Sequence, residues 1–354
     1  MTQQPVDYIL VGQGLAGSCL ALQLLYRQKK IVVIDQPTPT SASRVAAGLF
    51  NPITGKVMEK TWLADDLFPY LEKFYRQAEA YTGSSFYHPM PLYRPFISIE
   101  EQNAWMGKSA SADYEQYLEH IHLSTWHANE VHNPFGGLLL KRCGYLNTKN
   151  FIHAVRSTLR IQGALLEEFF DEDQLQFEAE SVTYKGIGAS SIVYCTGEQI
   201  RHSRNFSWLP IRALKGETLT ISSPVSVNTI YNRGVYVVPD IWKVGATYAK
   251  DDLRPEITEA GKTELVEKLN ELIAFPYRIT GQEWGFRPTT PDRRPMLGLH
   301  PKYTQLAVFN GLGTKGVSLA PYFSEIFTDW LENGSPLNNA ADLNRYKSLY
   351  WKSA

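Results

Sequence analysis

The chain has 354 residues, of which 44% are hydrophobic and 20% are charged, and its formal net charge is -1. This composition excludes a disordered chain, and the balanced charge excludes recruitment of nucleic acid or an anionic membrane by net charge alone. The length is typical of two domains.

Three cysteines, Cys19, Cys143 and Cys195, follow no metal-ligand spacing. We therefore expect reduced thiols, a cytoplasmic protein and no metal site. The N-terminal residues lack the basic and apolar regions of a signal peptide, and no apolar run reaches the roughly eighteen residues of a membrane span. We expect neither a signal peptide nor a transmembrane segment.

A strand, a glycine-rich turn and a helix open the chain. The apolar run Tyr8–Val11 is typical of a buried parallel strand, and it leads into three spaced glycines, Gly12, Gly14 and Gly17. Such glycines permit a tight turn, close approach of backbone to a pyrophosphate, and close packing of helix on strand. The helix then begins with Leu15 and Ala16, where free N–H groups and the helix dipole favour phosphate.

The second apolar run, Ile31–Ile34, ends at Asp35, which is placed to accept hydrogen bonds from a ribose diol. Together these elements predict a dinucleotide-binding unit rather than an ordinary glycine-rich turn. The pattern does not separate FAD from NAD. Asp35 disfavours NADP, because its carboxylate would repel the 2′-phosphate.

The loop Arg44–Gly55, with Ala47 and Gly48, is rich in small residues. It is either an ordinary loop or one kept small so that backbone can lie against a flat ring system. Further patterns predict helices at Leu67–Tyr81, at Gly144–Leu159 with a cap near Asn147 or Thr148, and at Pro255–Ile273. They also predict strands at Pro91–Ile99, Ser191–Gly197 and Leu209–Ser222, with a strand pair in Tyr231–Tyr248. The strand that stops at Thr196-Gly197 could deliver backbone to a cofactor, or it could be a plain strand and turn.

Two further segments carry unusual patterns near the C-terminus. Trp284–Gly298 reads WGFRPTTPDRRPMLG and sets Arg287 before a proline, either as a stiff charged turn or as a ligand-binding residue. In Phe309–Trp330, glycines precede an apolar helix. This is either a flexible loop or a helix dipole aimed at an electron-rich part of a cofactor.

Six segments, in order VGQGLAG, VAAGLFNP, IVYCTG, LKGE, GFRPTTPDRRPMLG and GLGTKGVSLAP, together resemble the FAD-dependent D-amino-acid oxidase superfamily. That group includes glycine oxidase, sarcosine oxidase and the FAD half of a tRNA-modifying enzyme. The resemblance implies an α/β protein (α+β overall) with a Rossmann-like FAD-binding domain and an inserted, mixed but mainly antiparallel substrate sheet. The implied FAD-binding segments are 1–60, 140–205 and 284–354, and the substrate-binding segments are 61–139 and 206–283.

The resemblance also implies FAD held non-covalently, because the cysteine that anchors flavin in sarcosine oxidase relatives has no clear match. Four groups of residues would contact it: Gly12, Gly14, Leu15, Ala16, Gly17 and Asp35 at the ADP half; Arg44, Ala47 and Gly48 along the cofactor; Thr196 and Gly197 in its pocket; and Gly313, Thr314, Lys315, Gly316 and Val317 at the pyrimidine edge of the flavin.

On the same resemblance, Arg287 matches the arginine that binds the substrate carboxylate, and Tyr236 matches a tyrosine near it. This implies oxidation of the CH–NH bond of an amine or amino acid by hydride transfer to flavin N5, with O2 or a quinone as acceptor. Leu312–Lys315 departs from the histidine or arginine of relatives, which leaves the substrate open. The alternatives are an amine in modified tRNA, although a nucleic-acid partner is disfavoured, and a non-catalytic FAD protein with an occluded pocket or an ion-paired Arg287.

Overall fold

A computed structural model describes residues 5–55 and 58–353. Its α-helices are α1 Leu15–Tyr26, α2 Ala42–Val45, α3 Ala64–Thr82, α4 Ile99–Lys108, α5 Ala112–Glu115, α6 Thr148–Ile161, α7 Glu259–Leu272, α8 Gly316–Asn333 and α9 Lys347–Ser353, and short 3-10 helices span Glu172–Gln174, Gly197–His202, Pro239–Ile241 and Leu343–Tyr346. Within these residues, no helix combines the length and the hydropathy that a membrane crossing requires.

The strands, in chain order, are β1 Val6–Val11, β2 Ile31–Ile34, β3 Leu49–Phe50, β4 Ile53–Thr54, β5 Glu59–Lys60, β6 Tyr87–Pro89, β7 Leu92–Pro95, β8 Leu118–His122, β9 Gly137–Leu140, β10 Gly144–Leu146, β11 Leu165–Leu166, β12 Leu175–Phe177, β13 Val182–Tyr184, β14 Ile187–Tyr194, β15 Arg212–Ser222, β16 Ile230–Arg233, β17 Val235–Val238, β18 Lys243–Gly245, β19 Arg278–Thr289, β20 Met296–Leu299 and β21 Leu306–Asn310.

The first large sheet has the order β11-β2-β1-β14-β13-β12, with β21 beside β14 and β20 beside β21. β1 pairs in parallel with β2 and with β14, and β14 pairs in parallel with β21. Alternate residues of β1 enter two different cores: Leu10 packs in the core that contains α1 and α8, and Ile9 packs in the core on the opposite face. Coverage of both faces is typical of a parallel sheet and explains the continuous apolar strands. The Rossmann-like prediction is confirmed.

The second large sheet has the order β19-β15-β18-β17-β16-β7-β9-β8. Its pairs are antiparallel except for the parallel pair of β16 and β7, so the prediction of a mixed, mainly antiparallel sheet is confirmed. Leu265 and Leu269 of α7 share a core with Val237 and Val244 and cover one face. Leu92 and Val238 belong to the core on the other face, which includes α1 and α8.

Several boundaries differ from the sequence predictions; Gly144–Leu146, for example, is strand β10, and helix α6 begins only at Thr148. Tyr231–Tyr248 holds three strands rather than two, because the chain turns at Gly234 (φ 71°) as well as at the 3-10 helix Pro239–Ile241. β7 stops at Pro95, because Ser98 caps α4 by accepting a hydrogen bond from the Glu101 N–H. β19 continues to Thr289 and β9 to Leu140, so these strands cross the predicted domain bounds. The domain division itself stays a prediction.

Candidate active site

A cavity of about 2200 Å³ lies between the two large sheets. Its volume exceeds the roughly 300–1,000 Å³ of sites for drug-sized ligands, which leaves room for a dinucleotide together with a small substrate. All the site residues predicted from the sequence line it except Gly17, which packs behind its wall. The cavity therefore brings together segments that are up to 300 residues apart in the chain.

The glycine-rich turn at the N-terminus has the cradle shape that the sequence predicts. Gly12 has φ 94°, and a Cβ there would lie 2.8 Å from the Cys195 carbonyl oxygen. A Cβ on Gly17 would overlap the Gly12 carbonyl oxygen. The Leu15 N–H already donates to Ser43 Oγ at 3.1 Å. The N–H groups of Ala16 and Gly17 remain, since a first helical turn has no acceptor for them.

Asp35 is held at the end of β2 by two donors. The Gln13 N–H donates to Asp35 Oδ1 at 2.9 Å, and Arg156 Nη1 donates to Asp35 Oδ2 at 2.7 Å. Arg156 lies on α6, and its side chain is 5% exposed. A carboxylate oxygen accepts more than one hydrogen bond, so both oxygens keep capacity for ribose hydroxyls while their orientation is fixed. The sequence reasoning missed Arg156, which is 121 residues away from Asp35.

The flavin end of the predicted site has backbone packed too closely for side chains. Gly48 has φ 72°, and a Cβ there would overlap the Leu146 carbonyl oxygen. At the start of α8, the Gly313 N–H donates to Pro288 O at 2.9 Å and the Lys315 N–H to Leu312 O at 3.1 Å. The N–H groups of Gly313 and Lys315 are therefore already used within the protein. Of the segment Gly313–Val317, the first turn of α8 leaves the N–H groups of Gly316 and Val317 free to contact the flavin.

Two polar groups close to the glycine-rich turn fit a bound cofactor. The hydroxyl of Thr196 is buried and has no hydrogen-bond partner among residues 5–55 and 58–353. Buried hydroxyls are normally satisfied, so a ligand group that faces Thr196 accounts for its orphan Oγ1. Arg44 is half-buried in the same wall. With the cradle at Gly12 and the oriented Asp35, the residues present fit FAD.

Lys315 is the N-cap residue of α8 and carries a cationic side chain. Its Nζ lies 3.2 Å from Thr54 Oγ1 and 3.2 Å from Thr61 Oγ1. Burial, together with the nearby Arg294 and Arg293, lowers the pKa of Lys315 to about 8. In the described part of the chain no carboxylate lies within 4 Å of this amine, so it is held by neutral hydroxyls.

Arg287 and Tyr236 converge above two glycines of the second sheet. A Cβ on Gly216 of β15 would overlap the Arg287 guanidinium, and a Cβ on Gly245 of β18 would lie 2.6 Å from the Tyr236 hydroxyl. The two glycines therefore form a floor on which both polar groups can lie. The buried hydroxyl of Thr218, beside Gly245, has no partner among the described residues. Sequence reasoning singled out LKGE without assigning a role to its glycine, and it missed Gly245.

Arg287 is not locked in an ion pair within the described residues. Its Nη1 donates to Thr247 O at 3.2 Å, and its guanidinium lies 4.9 Å from the centre of the Tyr248 ring. Burial raises the pKa of Tyr236 to about 12, even though Arg287 and a hydrogen bond with the Ala47 backbone favour the ionised form. The Tyr236 hydroxyl is thus protonated at neutral pH and available as a donor beside a free guanidinium.

The DRR turn after Arg287 has structural partners. Asp292 Oδ1 accepts from the Arg294 N–H at 3.0 Å, and Asp292 Oδ2 accepts from Arg345 Nε at 2.8 Å. Arg294 lies over the Trp62 ring at 4.0 Å. These contacts tie the turn to the 3-10 helix Leu343–Tyr346 and to Trp62.

A profile of the family described as FAD dependent oxidoreductase matches residues 7–330, and the chain belongs to this family. It is 25% identical over 368 residues to the bifunctional protein ThiO/ThiG of Trichormus variabilis, covering 96% of this chain and 55% of that protein. The chain thus spans about half the length of the bifunctional relatives it matches. The protein is an FAD-dependent oxidoreductase of the D-amino-acid oxidase superfamily.

Solved structures show the same fold. Glycine oxidase from Geobacillus kaustophilus superposes with a TM-score of 0.78 at 19% identity, covering 97% of this chain and 98% of that one. Iminodiacetate oxidase from Chelativorans sp. superposes with a TM-score of 0.76 at 16% identity, covering 96% and 98%. These likenesses establish the FAD-binding fold, and the substrate has to be argued from the site.

Proposed function

We propose that this protein oxidises the CH–NH bond of a small amine or amino acid whose carboxylate is held by Arg287. The observation that carries the proposal is the free guanidinium of Arg287, which lies over Gly216 inside the cavity and has no carboxylate partner in the described chain. The names of the similar proteins, glycine oxidase and iminodiacetate oxidase, support the same substrate class.

The side chains have separate roles in this proposal. Arg287 binds the carboxylate through charge-assisted hydrogen bonds in its planar fork. The protonated hydroxyl of Tyr236 donates a further hydrogen bond to the same carboxylate. Binding the carboxylate at one end of the substrate fixes the orientation of its α C–H. The entropic cost of orienting the substrate is then met on binding rather than in the reaction step.

Bound FAD supplies the acceptor for the hydride that leaves the α carbon. If the amine arrives unprotonated, loss of that hydride leaves a positively charged iminium ion, which water hydrolyses to a carbonyl compound and a protonated amine or ammonium. No catalytic base is needed under that condition. The electron acceptor that reoxidises the enzyme would be O2 or a quinone, and FAD would be held non-covalently.

The test is the visible absorption of the FAD-loaded full chain under anaerobic conditions, before and after glycine, sarcosine, proline and D-amino acids are added. Bleaching by one of them supports the proposal. R287A should retain FAD and raise the concentration needed for half-bleaching by roughly 100-fold, the loss of a charged hydrogen-bond pair.

R278A is the matched control, because Arg278 is an exposed arginine at the opposite end of β19. It should behave like the wild type. If R287A bleaches at the wild-type concentration, the carboxylate clamp is wrong. If no small amine bleaches the flavin, weight moves to the macromolecular amine, for which a modified tRNA is the probe, or to a non-catalytic FAD protein.

A further inference from the structure

A second arginine lies on the same face of the sheet as Tyr236. Tyr236 pairs with Asn232 across β17 and β16, and the parallel pairing of Ile230 with Leu92 and of Tyr231 with Tyr93 continues to place Asn232 beside Arg94 of β7. Tyr236, Asn232 and Arg94 all line the large cavity. These three side chains form a polar row across the neighbouring strands β17, β16 and β7 of the second sheet.

Arg94 is buried without a neutralising partner. The residue is 7% exposed, its Nη2 donates to Gly55 O at 2.9 Å, and its Nε has no partner among the described residues. The nearby carboxylate of Glu101 does not neutralise Arg94, because it is paired with Arg233 at 3.0 Å. No carboxylate of residues 5–55 and 58–353 lies within 4 Å of the Arg94 guanidinium.

Such an arrangement is unfavourable for the protein alone. A buried cation without a counter-ion loses its hydration and gains no compensating attraction. Burial and the neighbouring Arg233 lower the pKa of Arg94 to about 10, so the group is still a cation at neutral pH. Because Arg94 borders the cavity, an anion that enters the cavity can supply the missing partner.

We propose that Arg94 is a second anion-binding residue of the substrate site, and that the substrate is an amine with a second carboxylate beyond the one held by Arg287. This inference rests on the proposed function, since it assumes that the cavity floor receives an amine substrate.

The sheet geometry sets the scale of that substrate. Arg94 of β7 stands three strands beyond Gly245 of β18, over which the Tyr236 hydroxyl lies, and three strand spacings are roughly 14 Å. The flexible arginine side chain shortens this gap, and Asn232 offers an amide between the two ends. Glycine or alanine held at Arg287 has no group that reaches Arg94, whereas an amine with a carboxylate on a further arm does.

The competing explanation is that Arg94 only clasps the Gly55 carbonyl oxygen. In that case R94M, which keeps the length of the side chain and removes its charge, would lower thermal stability and would weaken monocarboxylate and dicarboxylate ligands equally. Under our inference, R94M is at least as stable as the wild type, because an uncompensated buried charge has gone.

The experiment measures binding first and turnover second, on the FAD-loaded full chain. Calorimetry compares straight-chain dicarboxylates from succinate to adipate with monocarboxylates of the same length. We expect one dicarboxylate to bind at least about tenfold more tightly than its partner, an advantage that R94M loses and R94K partly retains. R278M, which removes an exposed charge from the far edge of the same sheet, should keep it.

Turnover is then tested with iminodiacetate against sarcosine, which differ by a carboxylate in place of a hydrogen. Preferential anaerobic bleaching by iminodiacetate, lost in R94M, supports the inference. Equal binding of dicarboxylates and monocarboxylates at every length overturns it and leaves the proposed function intact. If no amine bleaches the flavin, the proposed function fails, whereas the binding series still decides the role of Arg94.

Discussion

Gly216 offers the sharpest test of the site geometry, because its substitution changes no polar group. A Cβ built on Gly216 falls closer than 3.0 Å to three atoms of the Arg287 guanidinium, a separation that real Cβ atoms essentially never show. The backbone of Gly216 is fixed by its ladder to β19. In G216A the guanidinium therefore has to leave the floor.

The size of the displacement sets the expected effect. Carbon atoms in contact stand about 3.5 Å apart, so the guanidinium has to shift by about 1 Å or more. A misplacement of that size costs about 100-fold where orientation matters, and a lost charge-assisted hydrogen bond contributes about 1.5–3 kcal/mol. We expect the concentration of amine that half-bleaches the flavin to rise roughly 10- to 100-fold in G216A, with FAD still bound.

G281A is the matched control for this measurement. Gly281 lies on β19 with Arg287, and its Cβ would meet Thr220 atoms at 3.7 and 3.8 Å, which is ordinary contact. The assay is anaerobic titration of FAD-loaded G216A, G281A, R287A and the G216A/R287A double variant. The double variant should be no worse than R287A, because both changes remove one interaction. The described position of the guanidinium would be refuted if G216A were half-bleached at the same amine concentration as the wild type. It would also be refuted if G281A showed the same defect as G216A.

Two other side chains carry predictions with direct measurements. R156M leaves the Asp35 carboxylate without its buried partner and should lower the free energy of unfolding by about 3 kcal/mol and weaken FAD binding, as urea unfolding and FAD titration would report. R160M removes the exposed bond to Glu167 and should have a much smaller effect; equal losses would contradict the role of Arg156. For Lys315, whose pKa falls from 10.5 to about 8 on folding, the unfolded chain binds more protons between these values, so the stability of the wild type relative to K315M should rise from pH 8 to pH 10.5; a flat difference would contradict this.

The elements read correctly from the sequence are those whose shape depends on neighbouring residues. The turn needs a positive φ at Gly12 and close packing of the helix at Gly17. Both requirements are met by glycines that lie near each other in the sequence. Asn147 caps α6 by accepting from the Asn150 N–H, another local requirement. The local structure of this strand–turn–helix unit was therefore predictable, including the strand that ends before Asp35.

The groups that sequence reasoning missed depend on residues far away in the chain. Arg156 matters only because α6 places it against Asp35, and Gly245 matters only because β17 brings the Tyr236 hydroxyl above it. In the sequence Arg94 looks like an ordinary strand residue. Only the structure shows that the nearby Glu101 is paired with Arg233 rather than with Arg94. The LKGE segment was noticed, and only the register of β15 with β19 shows why its glycine is needed.

The charges around the cavity also explain why net charge said so little about the ligand. The cavity is lined by both acidic and basic side chains, and the basic ones include Arg287, Arg94 and Lys315. These three cations have no carboxylate partner within the described residues. Cations without carboxylate partners suit anionic ligands. A chain with 35 basic and 36 acidic residues thus contains a cavity with three cations unpaired among the described residues, and under the proposed function these would attract an anionic amine towards Arg287.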